Sequence, residues 1–160
     1  MMSNEQPTRI TSDGTKVWEI ETGDPVHMVY HRVGSPAVIF PNGDESWYID
    51  GKLHRDDGPA TIRTSLMHDG WRWVTHEWFR HGVKHRAGGP ANISMLLDNL
   101  FESVATHNEQ WLRNGELHRV GGPAVSSTDG RWEWWEHGDL LLRESSVIDD
   151  NLPTVWQQKR

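Results

Sequence analysis

Apolar residues in this chain come in short runs that are separated by glycine-containing dipeptides. Asp50-Gly51 and Asn114-Gly115 lie between two such runs, and His81-Gly82 and His137-Gly138 occupy the same place in theirs. Asn-Gly and Asp-Gly favour the two-residue type I′ turn, in which both central residues have positive φ. The pattern therefore predicts a succession of β-hairpins.

Two cassettes recur along these hairpins. The His-Arg cassette reads His-Arg-x-x-[Gly/Ser]-Pro-Ala and begins at His31, His54, His85 and His118. The Trp cassette reads Trp-x-x-x-Gly and spans residues 47–51, 78–82, 111–115 and 134–138, with a looser copy at 18–23. Leu140, Leu141 and Leu142 stand where a last His-Arg pair is expected. Recurrence of this kind is the sequence signature of a repeat architecture.

The cassettes predict an all-β fold, an antiparallel β-meander of about five hairpin repeats in a single domain, 1–160. The repeats are placed at approximately 10–36, 37–59, 60–90, 91–123 and 124–143, and a non-repeat tail follows at 144–160. Each unit is expected to hold a long strand ending in the Trp cassette, a short strand centred on Leu-His-Arg, and a return strand that proline opens. The leucine spacing in 94–110 is compatible with a short helix, but alignment with the other units favours a hairpin around Asp98-Asn99.

Composition narrows the functional classes. The chain has no cysteine, which excludes disulfides and thiolate chemistry, and its formal net charge of -7 disfavours nucleic acid as a partner. The start has no apolar signal-peptide core, and no run approaches the length of a membrane span. We therefore expect a cytoplasmic protein that has no membrane partner.

Standard catalytic motifs are missing from the sequence. It contains no G-x-x-x-x-G-K-[ST] and no G-x-S-x-G, and His76-Glu77 with His81 does not have H-E-x-x-H spacing. A metal site built from His76, His81 and His107 would require the fold to gather them. The sequence thus predicts no enzymatic activity, no catalytic residues, no cofactor and no metal.

Residues that recur in each unit are interpreted as structural, because a single active site needs its residues only once. The predicted ladder consists of Trp47, Trp78, Trp111, Trp134, His31, His54, His85 and His118, with each histidine bonded to backbone in the Gly-Pro turn that follows it. The arginines are expected to stack on tryptophan or to pair with acids such as Asp56 and Asp57; a basic stripe is the alternative. The candidate binding residues are Trp71, Trp73, Trp132, Trp135, Arg32, Arg55, Arg86 and Arg119, because Trp and Arg dominate binding hot spots.

Residues 47–60, WYIDGKLHRDDGPA, resemble the unit of the MORN-like β-hairpin repeat proteins of bacteria and phages. The resemblance covers roughly residues 17–143. It implies an antiparallel meander and transfers no activity. Its phage association implies an effector that acts in the host cytoplasm and binds and inhibits a host protein or defence complex.

Three functions follow from these features. The first is a non-enzymatic protein-binding module whose partner is another protein, with a homodimer formed through a tryptophan-bearing sheet face as a further possibility. The alternative is a small-ligand protein, for a nucleotide signal, that uses tryptophan stacking and the arginines. A structural or assembly role is the third.

Overall fold

The computed structural model describes residues 6–23, 27–67, 70–98 and 104–146. Its described elements are all strands, and every pairing between them is antiparallel. One eleven-stranded sheet, the main sheet, contains β1 (Arg9–Ile10), β2 (Lys16–Val17), β5 (Val38–Ile39), β6 (Glu45–Ser46), β9 (Thr61–Leu66), β10 (Arg72–Glu77), β13 (Asn92–Leu97), β14 (Val104–Gln110), β17 (Val125–Ser127), β18 (Arg131–Glu136) and β19 (Asp139–Ser145) in that spatial order. The predicted all-β meander is therefore confirmed. So is the strand pairing of the hairpin at 94–110, since β13 pairs with β14 from Asn92↔Gln110 to Leu97↔Val104; the turn predicted at Asp98-Asn99 extends outside the described residues.

Four two-stranded hairpins, here called the arms, branch from the main sheet. They are β3 (Glu19–Glu21) with β4 (Met28–Tyr30), β7 (Tyr48–Ile49) with β8 (Lys52–Leu53), β11 (Phe79–Arg80) with β12 (Val83–Lys84), and β15 (Leu112–Arg113) with β16 (Glu116–Leu117). One tryptophan separates each arm from the preceding main-sheet strand, as Trp47 separates β6 from β7. The predicted long strand is thus split at tryptophan. The expected short strand ends before the His-Arg pair rather than being centred on it.

The turns that close the hairpins have the predicted conformation. Asp50, His81, Asn114 and His137 have φ of 49°, 49°, 53° and 49°, and each is followed by a glycine with positive φ. At Gly51 a second constraint applies, because an added Cβ would lie 3.2 Å from Cβ of Val29 in the preceding arm. The arm turns therefore pack closely against the neighbouring arm.

The Pro-Ala dipeptides connect one unit to the next. Proline was expected to open each return strand, but the strands begin two residues later, at Val38, Thr61, Asn92 and Val125. The proline lacks an N–H for the ladder, and its carbonyl accepts a side-chain hydrogen bond instead. The next residue, Ala60 in the second His-Arg cassette, is fully buried; its carbonyl accepts from Trp47 N–H and its N–H donates to the carbonyl of Glu77 in β10, both at 2.8 Å.

Strand register defines one continuous row of side chains on the face of the main sheet that the arms cover. We call it the arm-facing row; its members are Val17, Val38, Ser46, Thr61, Glu77, Asn92, Gln110, Val125 and Glu133. Successive cross-strand neighbours lie on the same face of a sheet. The row begins with buried valines, becomes polar at Ser46, and remains polar through Gln110.

Candidate functional site

The four arginines of the His-Arg cassettes stack on tryptophan rings. The guanidinium carbons of Arg32, Arg55, Arg86 and Arg119 lie 3.8, 4.1, 3.9 and 3.9 Å from the ring centroids of Trp18, Trp47, Trp78 and Trp111. Cation–π contact of this kind is stabilising, and more so where it is shielded from water. Stacking was one of the predicted arrangements, and the structure has it in all four cassettes.

Each stacked arginine has further internal contacts. In the third cassette, Arg86 Nη1 donates to the Pro90 carbonyl at 3.2 Å, and a Cβ added at Gly89 would lie 2.8 Å from Nη1 of Arg86. Arg55 also pairs with Asp57 at 2.8 Å, as expected. In the last three cassettes the guanidinium group is thus enclosed by a tryptophan ring, a proline carbonyl and a glycine, whereas in the first Ser35 stands in place of the glycine. The assignment of these arginines to a binding surface stays a prediction.

The cassette histidines join each arm to the next hairpin along the chain. Nδ1 of His31, His54, His85 and His118 accepts a hydrogen bond from the backbone N–H of Asp50, His81, Asn114 and His137 at 3.1, 3.3, 3.2 and 3.2 Å. The expected partner, the Gly-Pro turn of the same unit, is wrong, because each ring follows an arm and reaches the turn of the next hairpin, which for His118 is the turn between β18 and β19. In His54, His85 and His118 the accepting Nδ1 places the ring proton on Nε2, an assignment that rests on the hydrogen-bond network. The assignment does not extend to His31, whose Nδ1 also lies 2.8 Å from Asp50 Oδ1, a contact that needs a proton on Nδ1.

The tryptophan ladder starts one unit earlier than the predicted one. Trp18, from the looser Trp cassette, is buried and carries the first arginine. Trp134 lies within β18 opposite Leu142, and no His-Arg cassette follows it. The ladder that the arginines cover is therefore Trp18, Trp47, Trp78 and Trp111.

The non-recurring tryptophans do not form one surface. Trp73 in β10 lies opposite Ser65 and Leu96, whereas the register carries Trp132 in β18 across the sheet to His76 in β10. Trp73 and His76 are three residues apart in one strand, so Trp73 and Trp132 lie on opposite faces of the sheet. Trp71 and Trp135 are half-buried, and Trp135 Nε1 donates to Glu133 Oε2 at 2.9 Å. A binding role for these four residues stays a prediction.

A polar cluster that sequence reasoning missed lies in the middle of the arm-facing row. Glu77 pairs with Lys84 of the third arm at 2.6 Å and accepts from the Thr61 hydroxyl at 2.9 Å. Burial acts to raise the pKa of Glu77, but the hydrogen bonds from Lys84 and Thr61 outweigh it, so the pKa is lowered. Lys84 and Thr61 each bind the Glu77 carboxylate, so we interpret this cluster as structural.

The last strand differs from the other long strands of the main sheet. All seven residues of β19 are exposed, and among the described residues only β18 pairs with it. Leu140, Leu141 and Leu142 are 41%, 61% and 41% exposed. A long, exposed, apolar edge strand offers unpaired backbone groups to another chain. β19 is therefore the candidate docking edge of this protein.

Charge and backbone shape restrict what this edge accepts. Arg143 is engaged by Glu133 at 2.9 Å, whereas Asp139 and Glu144 form no ion pair within the described part of the chain. The register steps from Trp134↔Leu142 to Trp135↔Leu140, so Leu141 is a bulged residue without a cross-strand partner. Bulges interrupt indiscriminate edge pairing. The free charge of the edge is negative, and its apolar centre is the leucine triplet.

Sequence reasoning identified the leucine triplet only as a degenerate terminal unit. β19 continues to Ser145, two residues into the segment assigned to the tail, and the remainder of that tail from residue 147 lies outside the described residues. The described chain contains no group of three acidic or histidine side chains arranged to hold a metal ion, and His107 Nε2 lies 3.4 Å from Glu109 Oε1.

Comparisons with protein-family models, with curated proteins and with solved structures each found no match. The resemblance to MORN-like repeat proteins therefore stays a prediction. Within the described residues, no helix has the length and apolar character needed to cross a lipid bilayer.

Proposed function

We propose that this chain is a non-enzymatic protein-binding module whose β19 edge pairs with an extended segment of another protein. The observation that carries the proposal is the seven-residue β19, exposed throughout and centred on three leucines. Adding a strand to a free sheet edge supplies main-chain hydrogen bonds, and side-chain contacts supply specificity. Asp139 and Glu144, which have no ion-pair partner among the described residues, favour a segment with apolar residues flanked by lysine or arginine.

The recurring residues support this proposal in a different way. The ladder tryptophans, the cassette arginines and the cassette histidines are engaged in contacts within the fold. These contacts fasten successive units to one another and so position the last strand of the sheet. Binding sites held on rigid elements lose less free energy on ordering than mobile ones.

Affinity capture from a bacterial extract tests the proposal, with wild-type protein, Leu141→Lys and the matched control Val33→Lys. Val33 is 74% exposed and follows Arg32 in the first cassette, at the other end of the sheet order from β19. We expect a stoichiometric protein on wild type and on Val33→Lys and its loss on Leu141→Lys, because the edge would have to desolvate a charge. Hydrogen exchange should slow across residues 139–145 in the complex.

Unchanged melting temperatures for both variants establish that folding is intact. Equal capture by Leu141→Lys, or no stoichiometric protein on the wild type, contradicts the proposal. A wild-type dimer in light scattering that Leu141→Lys dissociates would also contradict it, since the edge would then be occupied by a second copy.

A further inference from the structure

A cleft of about 440 Å³ lies between the first two arms and the main sheet, at the opposite end of the sheet order from β19. This volume falls in the range of roughly 300–1,000 Å³ that is usual for small-molecule sites. Val17, Val38 and Ser46 of the arm-facing row line it, together with Tyr30, Tyr48 and Arg63.

The cleft exists because the arm-facing row carries small side chains at this end. Val17, Val38 and Ser46 are buried and short. Further along the row, Glu77 reaches Lys84 of the third arm and fills the corresponding space between arm and sheet. The shorter side chains thus leave a concave space under the first two arms, whereas Glu77 and Lys84 occupy the space under the third arm.

Two tyrosines meet over this space. The residue after each ladder tryptophan pairs within its arm with the residue before each cassette histidine, as Tyr48 pairs with Leu53. Tyr30 and Tyr48 occupy these positions on neighbouring arms, and their ring centroids are 5.2 Å apart at 57°. The equivalent positions further along the chain hold Leu53 and Phe79, Lys84 and Leu112, and Leu117 and Trp135. Only the first pair consists of two tyrosines.

Polar groups at the cleft are available to a ligand. Neither tyrosine hydroxyl has a hydrogen-bond partner among the described residues. The pKa of Tyr48 is raised, mainly by burial and to a smaller extent by the neighbouring Tyr30, so this phenol is a neutral hydrogen-bond donor. Arg63 is exposed in β9, and within the described chain it forms no hydrogen bond or close ion pair, although its charge acts on Tyr48 and Glu77. The Asp13 carboxylate at the rim already accepts hydrogen bonds from Thr11 and Thr15.

We propose that this cleft binds a small molecule made of one planar ring and one anionic group, with the ring against Tyr30 and Tyr48 and the anion at Arg63. Aromatic side chains hold flat rings by offset or edge contacts. Arginine and phenol hydroxyls supply the donors that a carboxylate or phosphate requires. The site is independent of the β19 edge.

Isothermal titration calorimetry tests the site with adenosine 5′-monophosphate and indole-3-acetate, which carry a phosphate and a carboxylate respectively. We expect saturable one-to-one binding of at least one of them. Arg63→Gln should weaken that binding about tenfold or more, because a charge-assisted hydrogen bond is lost. Tyr48→Leu should weaken it by a similar factor, and Tyr48→Phe by less, since the ring is retained.

The matched control is Arg131→Gln, which removes an exposed arginine at the start of β18, at the other end of the sheet order. It should leave the affinity unchanged. If adenosine 5′-monophosphate binds, adenosine and inorganic phosphate should each bind more weakly than it does, because they carry the ring and the anion separately. Failure of both ring-anion compounds to saturate overturns the proposal, as does equal affinity of wild type and Arg63→Gln.

Discussion

The residues of the arms and those of the arm-facing row differ in how far they recur: the contacts along the arms repeat from unit to unit, whereas the side chains of the row change. Along the arms, each unit repeats two contacts, arginine on tryptophan and histidine on the next turn, and three of the four cassettes add glycine against arginine. Along the row, equivalent strand positions hold valine, threonine, asparagine and valine, at Val38, Thr61, Asn92 and Val125. The recurring set specifies the architecture. The variable set decides where side chains fill the space under the arms and where they leave the cleft.

The largest expected loss of stability comes from the recurring set. Trp47 is 8% exposed and carries the Arg55 guanidinium, so Trp47→Ala should lower the free energy of unfolding by about 3–5 kcal/mol. Urea unfolding measures this change. Trp47→Phe, which retains a ring for Arg55, should lose clearly less. A loss below about 1 kcal/mol for Trp47→Ala would mean that the recurring tryptophan is not a structural element.

An intermediate effect is expected at the glycine beside the stacked arginine, where two adjacent glycines form a matched pair. A Cβ at Gly89 would meet the Arg86 guanidinium at 2.8 Å, whereas a Cβ at Gly88 meets nothing within 4 Å. Gly89→Ala should therefore cost about 1–3 kcal/mol in urea unfolding through overpacking. Gly88→Ala should be neutral or slightly stabilising. Equal effects of the two substitutions would contradict the enclosed arginine.

The smallest effect concerns the variable row and depends on pH. The pKa of Glu77 is lowered from its ordinary value of 4.5, so the folded protein gains stability from this carboxylate above that pH and loses it as pH falls through the folded value. Glu77→Gln should reduce the acid dependence of the unfolding free energy below about pH 4.5 by about 1 kcal/mol or less. Lys84→Met should reduce it in the same direction. If both variants lose unfolding free energy at acid pH to the same extent as the wild type, the Lys84–Glu77 pairing is contradicted.

The sequence sufficed for the fold class and for the hairpin turns, because Asp-Gly and Asn-Gly carry their own backbone geometry. Asp50 and Asn114 adopt the positive φ that this chemistry predicts. The histidine partners were predicted wrongly, since the contact joins residues from different arms, such as His85 and Asn114, that no local pattern relates.

The candidate sites were harder to predict than the fold. The cleft depends on Tyr30, Tyr48 and Arg63, which come from three strands and recur nowhere else in their units. The only sequence signal was that the chain has just two tyrosines, both beside cassette residues. For β19, the leucine triplet was visible, but its exposure follows from its place at the end of the sheet order.

Each unit is fastened to the next through its recurring side chains, and the histidine rings report this connection most directly. Long-range ¹H–¹⁵N NMR at neutral pH distinguishes a ring nitrogen that carries a proton from one that does not. For His54, His85 and His118 we expect an unprotonated Nδ1 and a protonated Nε2, because Nδ1 accepts the backbone N–H of His81, Asn114 and His137. Protonated Nδ1 in these three rings, or rapid tautomer exchange as in a free imidazole, would contradict the account.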